Sequence, residues 1–150
     1  MNEEIKSVLR FEDYIVKSIN FKYNVEYDQN TAIDIKFDMD AEYHIDKHEG
    51  NMEVVLKVYI FKEDNITQYP FNMDIEVAGF FSISDSSEES IERFKPNAVA
   101  ILFPYLRALI STYTANANVA PLILPPININ QLLKNKNDGI FLKDKTERRG

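Results

Sequence analysis

The sequence predicts an α+β domain: a four-stranded antiparallel meander sheet with a long helix and a short C-terminal helix on one face. Three observations predict it. Up to Ser84 the chain is dominated by two-residue hydrophobic alternation, the mark of half-buried strands. At Asp85 the alternation stops and a long apolar, helix-like stretch follows. The strand segments are separated by short polar turns, so neighbours in sequence are expected to pair.

Residues 1–12 mix charges with Ile5, Val8 and Leu9, a spacing that suits one short helical face. This segment and residues 140–150 are expected to be flexible. The first strand is expected over Tyr14 to Tyr27, where Ile15, Lys17, Ile19, Phe21, Tyr23, Val25 and Tyr27 share one parity. The second is the clearest. Ile33, Ile35, Phe37, Met39, Ala41, Tyr43 and Ile45 alternate with Asp34, Lys36, Asp38, Asp40, Glu42, His44 and Asp46. Lys47 to Asn51, with Gly50, forms a connection. Met52 to Phe61 is the third strand, rich in β-branched and aromatic residues. Gln68 to Ser84 is the fourth, with Phe71, Met73, Ile75 and Val77 on one face and Gly79 marking an expected bulge.

Asp85 to Glu89 carries helix-starting residues, and Ala98 to Ala117 reads as the long helix. Pro104 fits there only in a first turn or at a kink. Val119 to Asn128 holds three prolines among aliphatics and must be an extended loop. Asn128 or Asn130 can cap a short helix through Lys134, ended by Asn137-Asp138-Gly139.

The chain of 150 residues is the size of one domain, and 45% hydrophobic residues suffice for a core. It has no cysteine, which excludes disulfides and thiol catalysis and fits a cytoplasmic setting. The N-terminus has no signal-peptide pattern, and no run of residues suggests membrane insertion. A net charge of −7 without a basic stripe argues against nucleic acid. His44 and His48 form the only histidine pair, but strand running into loop separates them, so no metal site is expected. No phosphate-binding or nucleophile-elbow motif occurs, and Asp34, Asp38, Asp40 and Glu42 read as the solvated face of a strand. No cofactor and no catalytic residue are therefore assigned. What stands out is apolar surface: Val119, Leu122, Ile123, Leu124, Ile127 and Ile129 either pack as core or border a groove for apolar peptide.

Asn97-Ala98-Val99-Ala100-Ile101-Leu102-Phe103-Pro104-Tyr105-Leu106-Arg107, followed by Leu122-Ile123-Leu124-Pro125-Pro126-Ile127-Asn128, resembles the most distinctive region of the SecB family. Met52 to Val58 and Ala78-Gly79-Phe80-Phe81-Ser82-Ile83 are similar to its third strand and its Gly-Gly-containing segment. The resemblance spans roughly residues 12 to 135. It implies a cofactor-free chaperone that needs no ATP, assembled as a homotetramer (a dimer of dimers) with the long helices in the contact. Its clients would be unfolded polypeptides. The expected groove residues are Phe21, Tyr23, Phe80, Leu124, Pro126, Ile127 and Ile129, and the expected oligomer-contact residues are Phe103, Tyr105 and Leu109. SecB proteins that deliver clients to the SecA motor ATPase carry acids where this chain has Ser18, Lys22, Asn72 and Asp74; only Asp74 keeps one. The resemblance implies a holdase that keeps clients soluble for export or for delivery to a partner; the departure weighs against SecA delivery and raises, as an alternative, a chaperone dedicated to one client such as an antitoxin. An interaction module that keeps the fold without chaperoning is the alternative from another class.

Overall fold

A computed structural model describes residues 8–27, 35–62, 69–119 and 122–124. They form β1 (Leu9–Tyr23), β2 (Phe37–Asp46), β3 (Asn51–Ile60), β4 (Phe71–Ile83) and α1 (Glu88–Asn116). The short C-terminal helix expected through Lys134 lies outside the described residues.

The alternation in β2 does what its sequence requires. Met39, Ala41, Tyr43 and Ile45 are buried and pair with Val58, Leu56, Val54 and Met52 of β3. β4 continues the same apolar face: Phe81, Gly79, Val77, Ile75 and Met73 stand opposite Met52, Val54, Leu56, Val58 and Ile60. Asp46 closes the β2–β3 turn. Its Oδ1 accepts the N–H groups of His48 and Glu49, both at 3.1 Å, and Gly50 takes a φ of 71° that favours glycine.

Gly79 is not a bulge. It keeps regular register with Val54 on one side and Tyr14 on the other. Its reason is proximity: a Cβ there would lie 3.0 Å from Leu102 Cδ1 of α1. The bare backbone at this point lets the helix settle onto the sheet.

The expected meander holds for β2, β3 and β4. The first strand departs from it, because the sheet order is β1-β4-β3-β2. β1 pairs antiparallel with β4, and the chain between Tyr23 and Phe37 passes from one sheet edge to the other, a Greek-key order. Pairing beside β4 lets Ile19 and Phe21 extend the apolar face through Ile75 and Met73.

β1 also breaks the single parity expected of it. It begins at Leu9, so residues 9–12 are strand rather than helix. Register shifts fall between Phe11 and Asp13 and between Val16 and Ser18, which makes Glu12 and Lys17 the extra residues of two bulges. Each bulge moves the following side chains to the other face. Phe11, Tyr14, Val16, Ile19, Phe21 and Tyr23 therefore share the helix side, while Ile15 pairs with Ala78 on the open side. Asn24 ends the strand. It is buried, and its Nδ2 donates to Tyr69 O and Asn72 Oδ1, each at 3.0 Å.

α1 starts ten residues earlier than the sequence suggests. Ser87 is its N-cap, with Oγ accepting from Ser90 N at 3.3 Å, and Glu88 and Glu89 complement the positive end of the helix. The helix runs through both Pro96 and Pro104, each of which removes one backbone donor. Tertiary packing overrides that loss: Ile91, Phe94, Ala98, Val99, Leu102, Leu106 and Ile110 are buried against the sheet. By length and apolarity α1 could cross a membrane, yet its apolar side is committed to this core.

Near the start of α1, Lys95 is 8% exposed. It pairs with Glu92 at 3.1 Å and sits 5.4 Å from the Tyr43 ring centroid. Burial, with a smaller push from the Glu92 charge, drives the Tyr43 phenol well above its ordinary pKa, so it stays neutral. At the other end the chain turns back along the helix. Leu122 N donates to Thr114 Oγ1 at 2.8 Å and Ser111 Oγ donates to Leu122 O at 3.0 Å, which seats Leu122 and Leu124 in the core.

Candidate functional site

Among the described residues, the apolar side of β1 is the part of the sheet that stays half exposed beside α1. No residue of β1 is buried. Val16 is 41% exposed and Tyr23 47%. Beside them runs a helical row four residues apart, Ile101, Tyr105, Leu109 and Tyr113, all partly or fully exposed. Ring contacts tie strand to helix. Phe11 and Tyr14 lie 5.4 and 4.9 Å from Tyr105, and Phe21 lies 5.5 Å from Tyr113 and 5.0 Å from Phe71. The result is an aromatic strip with one open side along an edge strand. The outer backbone edge of β1 has no strand partner among the described residues.

This arrangement can take up an extended peptide in two ways. Apolar side chains can cover the strip, each 100 Å² of apolar surface contributing about 2.5 kcal/mol before ordering costs. The peptide backbone can also add to the open edge of the sheet.

The residues expected from sequence to line one groove do not all meet. Phe21 and Tyr23 belong to the strip. Phe80 lies on the opposite, open face, between Asp13 and Glu53, because its neighbour Phe81 takes the core position. Leu124 is 1% exposed and packed inside. Pro126, Ile127 and Ile129 lie outside the described residues. Of the expected oligomer-contact residues, Phe103 is buried in the chain's own core, while Tyr105 and Leu109 border the strip. Asp74 is on the open face, its Oδ1 accepting from Asn20 Nδ2 at 2.9 Å. Sequence reasoning missed Phe11, Tyr14, Val16, Ile101 and Tyr113. The four-residue spacing of Ile101, Tyr105, Leu109 and Tyr113 was the available signal.

His44 and His48 are separated as expected. His44 Nε2 lies 2.9 Å from Glu42 Oε2 on β2, and His48 is in the turn. No cluster able to hold a metal occurs among the described residues.

Fold and strip together define a small sheet-and-helix domain with an open apolar edge. The family model of SecB, preprotein translocase subunit SecB, matches residues 6–139, and the chain belongs to that family. The uncharacterised protein MJ0357 of Methanocaldococcus jannaschii is 39% identical over 132 residues, covering 87% of this chain and 85% of that one. The protein-export protein SecB of Neorickettsia sennetsu is 31% identical over 106 residues, covering 66% of this chain and 64% of that one. Among solved structures, the SecB-like chaperone Rv1957 of Mycobacterium tuberculosis, in complex with a ChAD peptide from the HigA1 antitoxin Rv1956, superposes with a TM-score of 0.65. That match covers 80% of this chain and 91% of the other at 16% identity, a likeness of fold.

Proposed function

We propose that the protein is an ATP-independent holdase of the cytoplasm that binds unfolded polypeptide along the strip between β1 and α1. The observation that carries this reading is the pairing of half-exposed aromatic residues, Tyr105 and Tyr113, with the free edge of β1. Membership of the SecB family supports it. Unfolded chains offer both apolar side chains and unpaired backbone, and this edge accepts both. Many weak contacts along a strip suit clients of varied sequence.

The other exposed row of α1, Asn97, Ala100, Pro104, Ala108, Thr112 and Ala115, is small and uncharged. We assign it to helix contact between copies in a homotetramer, with Tyr105 and Leu109 at the border between contact and groove. Several strips on one assembly would raise avidity for a long client. Scattering mass in solution tests the assembly: a monomer at all concentrations overturns it.

Within this reading, a dedicated client is favoured over general delivery to a SecA-type motor. Ser18, Lys22 and Asn72 leave Asp74 as the lone acid among the motor-contact positions, and Asn20 already bonds it. A weakly acidic patch attracts a basic docking partner poorly. An antitoxin is one such client, by analogy with the Rv1957 complex.

The test is light scattering of an unfolded, aggregating client without ATP. Wild-type protein should suppress aggregation at near-stoichiometric amounts. The double variant Val16→Asp/Tyr23→Asp, altered only at exposed positions, should lose most of that suppression. Full suppression by the double variant would refute the strip as the client site.

A further inference from the structure

β1 faces a difficulty that the other strands do not. Pairing register is strongly specified where one face of a strand is buried, and no residue of β1 is buried. Its helix-side residues Val16, Ile19, Phe21 and Tyr23 are all apolar, and they stand opposite Val77, Ile75, Met73 and Phe71, which are apolar too. A slide by two residues would set apolar groups against apolar groups again. The hydrophobic pattern therefore leaves the register of β1 open, and the two bulges show this strand pair already absorbing extra residues. The strip depends on that register. The ring contacts of Phe11 and Tyr14 with Tyr105, and of Phe21 with Tyr113 and Phe71, belong to it. A two-residue slide would carry each β1 ring about 7 Å along the sheet.

Side-chain hydrogen bonds tie β1 to β4 from Ser82 Oγ to Glu12 and from Asn20 to Asp74, but both are exposed, where water competes for them. Asn24, directly after the strand, is different, for it is only 3% exposed. Its backbone N–H donates to Pro70 O at 2.9 Å, and its Nδ2 donates to both Tyr69 O and Asn72 Oδ1. Asn72 Nδ2 in turn donates to Phe61 O, so a chain of amides runs from the end of β1 across the start of β4 to the end of β3. Asn24 Oδ1 is buried without a partner among the described residues. An orphaned buried acceptor costs stability. A leucine here would escape that cost but make neither bond, and an aspartate would bring acceptors and no donor. A buried amide kept at such a cost selects one arrangement of the chain, as a lone core asparagine fixes the register of a coiled coil.

We propose that Asn24 is a positioning residue of the client strip: its amide locks β1 in register against β4 and so sets the strand wall of the strip against Tyr105 and Tyr113 of α1. The inference rests on the strip being the client site. In a slipped register Nδ2 loses Tyr69 O and Asn72 Oδ1, and its donors join Oδ1 as buried groups without partners. Slipped states are therefore penalised where the native one is not. Asn24 touches no client. It acts through the strand that it ends.

The chain has no cysteine, so introduced pairs report register alone. Ser18 and Glu76 face each other, and Ser18→Cys/Glu76→Cys should crosslink under mild oxidation in the native register. Ser18→Cys/Asp74→Cys and Asn20→Cys/Glu76→Cys report slides by two residues in either direction. Adding Asn24→Leu should speed crosslinking of both slipped pairs several-fold, and Asn24→Leu alone should lower aggregation suppression several-fold. Glu12→Ala, which removes an exposed bond, should leave the crosslinks native. So should Met39→Ala, which loosens the core at the other edge strand. Thermal melts check folding, and Asn24→Ala decides the matter if Asn24→Leu does not fold. Native crosslinks alone in the folded Asn24 variant would overturn the lock, while the strip would still stand or fall on Val16→Asp/Tyr23→Asp. Slipped crosslinks as fast in Met39→Ala would mean general loosening and would overturn it too. Slipped crosslinks with undiminished suppression would overturn the strip as the client site, and the positioning role with it.

Discussion

The two edge strands of this sheet are built to opposite rules. β2 has strict alternation, with Met39, Ala41, Tyr43 and Ile45 at most 2% exposed and a row of charged residues on the other side. β1 has no buried residue, two bulges, and apolar side chains on both faces. β2 gives its side chains to the core and guards its edge with charge, as edge strands usually do. β1 keeps apolar surface on its helix side, and its outer edge, bent by two bulges, has no strand partner among the described residues. The difference teaches where this fold spends its sequence: β2 on the core, β1 on apolar surface left partly open to solvent.

The largest effect that would break this comparison is a loss of core on the β2 side. Met39 is fully buried, and Met39→Ala should cost about 2–5 kcal/mol, read as a lower denaturant midpoint. Val16→Ala on β1 should cost well under half as much, since its side chain is already largely in water. Similar costs at both positions would remove the distinction.

Next is the close approach between sheet and helix. Gly79→Ala puts a methyl 3.0 Å from Leu102 Cδ1, and overpacking of this kind costs roughly 1–3 kcal/mol. Leu102→Val should relieve part of it, so the double variant should lose less stability than the two single changes added together. Strict additivity would show that Gly79 is there for another reason. Smaller again is the helix start. Ser87→Ala removes the acceptor for Ser90 N and should cost about 1 kcal/mol by thermal melting.

The same contrast explains what could be read from sequence. β2 was legible residue by residue, because period-two alternation and a buried face are one and the same fact. β1 was not, because Glu12 and Lys17 look like ordinary polar positions and only pairing with β4 reveals them as extra residues. Unbroken parity therefore puts Ile15 on the wrong face. Strand order was hidden for a related reason: local pattern names strands but not their neighbours, and β1 sits beside β4 rather than β2. The start of α1 was hidden by Pro96, whose local cost is outweighed by the burial of Ile91 and Phe94. For the candidate site, Phe21 and Tyr23 were legible as aromatics on a strand. Phe80 does not join them: Phe80 and Phe81 are adjacent, and sequence alone does not say which of two neighbouring aromatics faces the core.

That ambiguity supplies the smallest perturbation and the sharpest one. Ile15 and Val16 are adjacent, both apolar and both more than 40% exposed, but the sheet directs them to opposite faces. Ile15→Ser and Val16→Ser should each change stability by roughly 0.5 kcal/mol or less, as exposed substitutions do. Composition, charge and strand propensity change alike in the two variants. Only Val16 lies on the side of Tyr105 and Tyr113, so only Val16→Ser should weaken aggregation suppression, by an amount well short of the double aspartate variant. Equal weakening by both would mean that clients are held by the β1 edge as a whole and not by its helix-facing strip. Weakening by Ile15→Ser alone would move the client site to the open face.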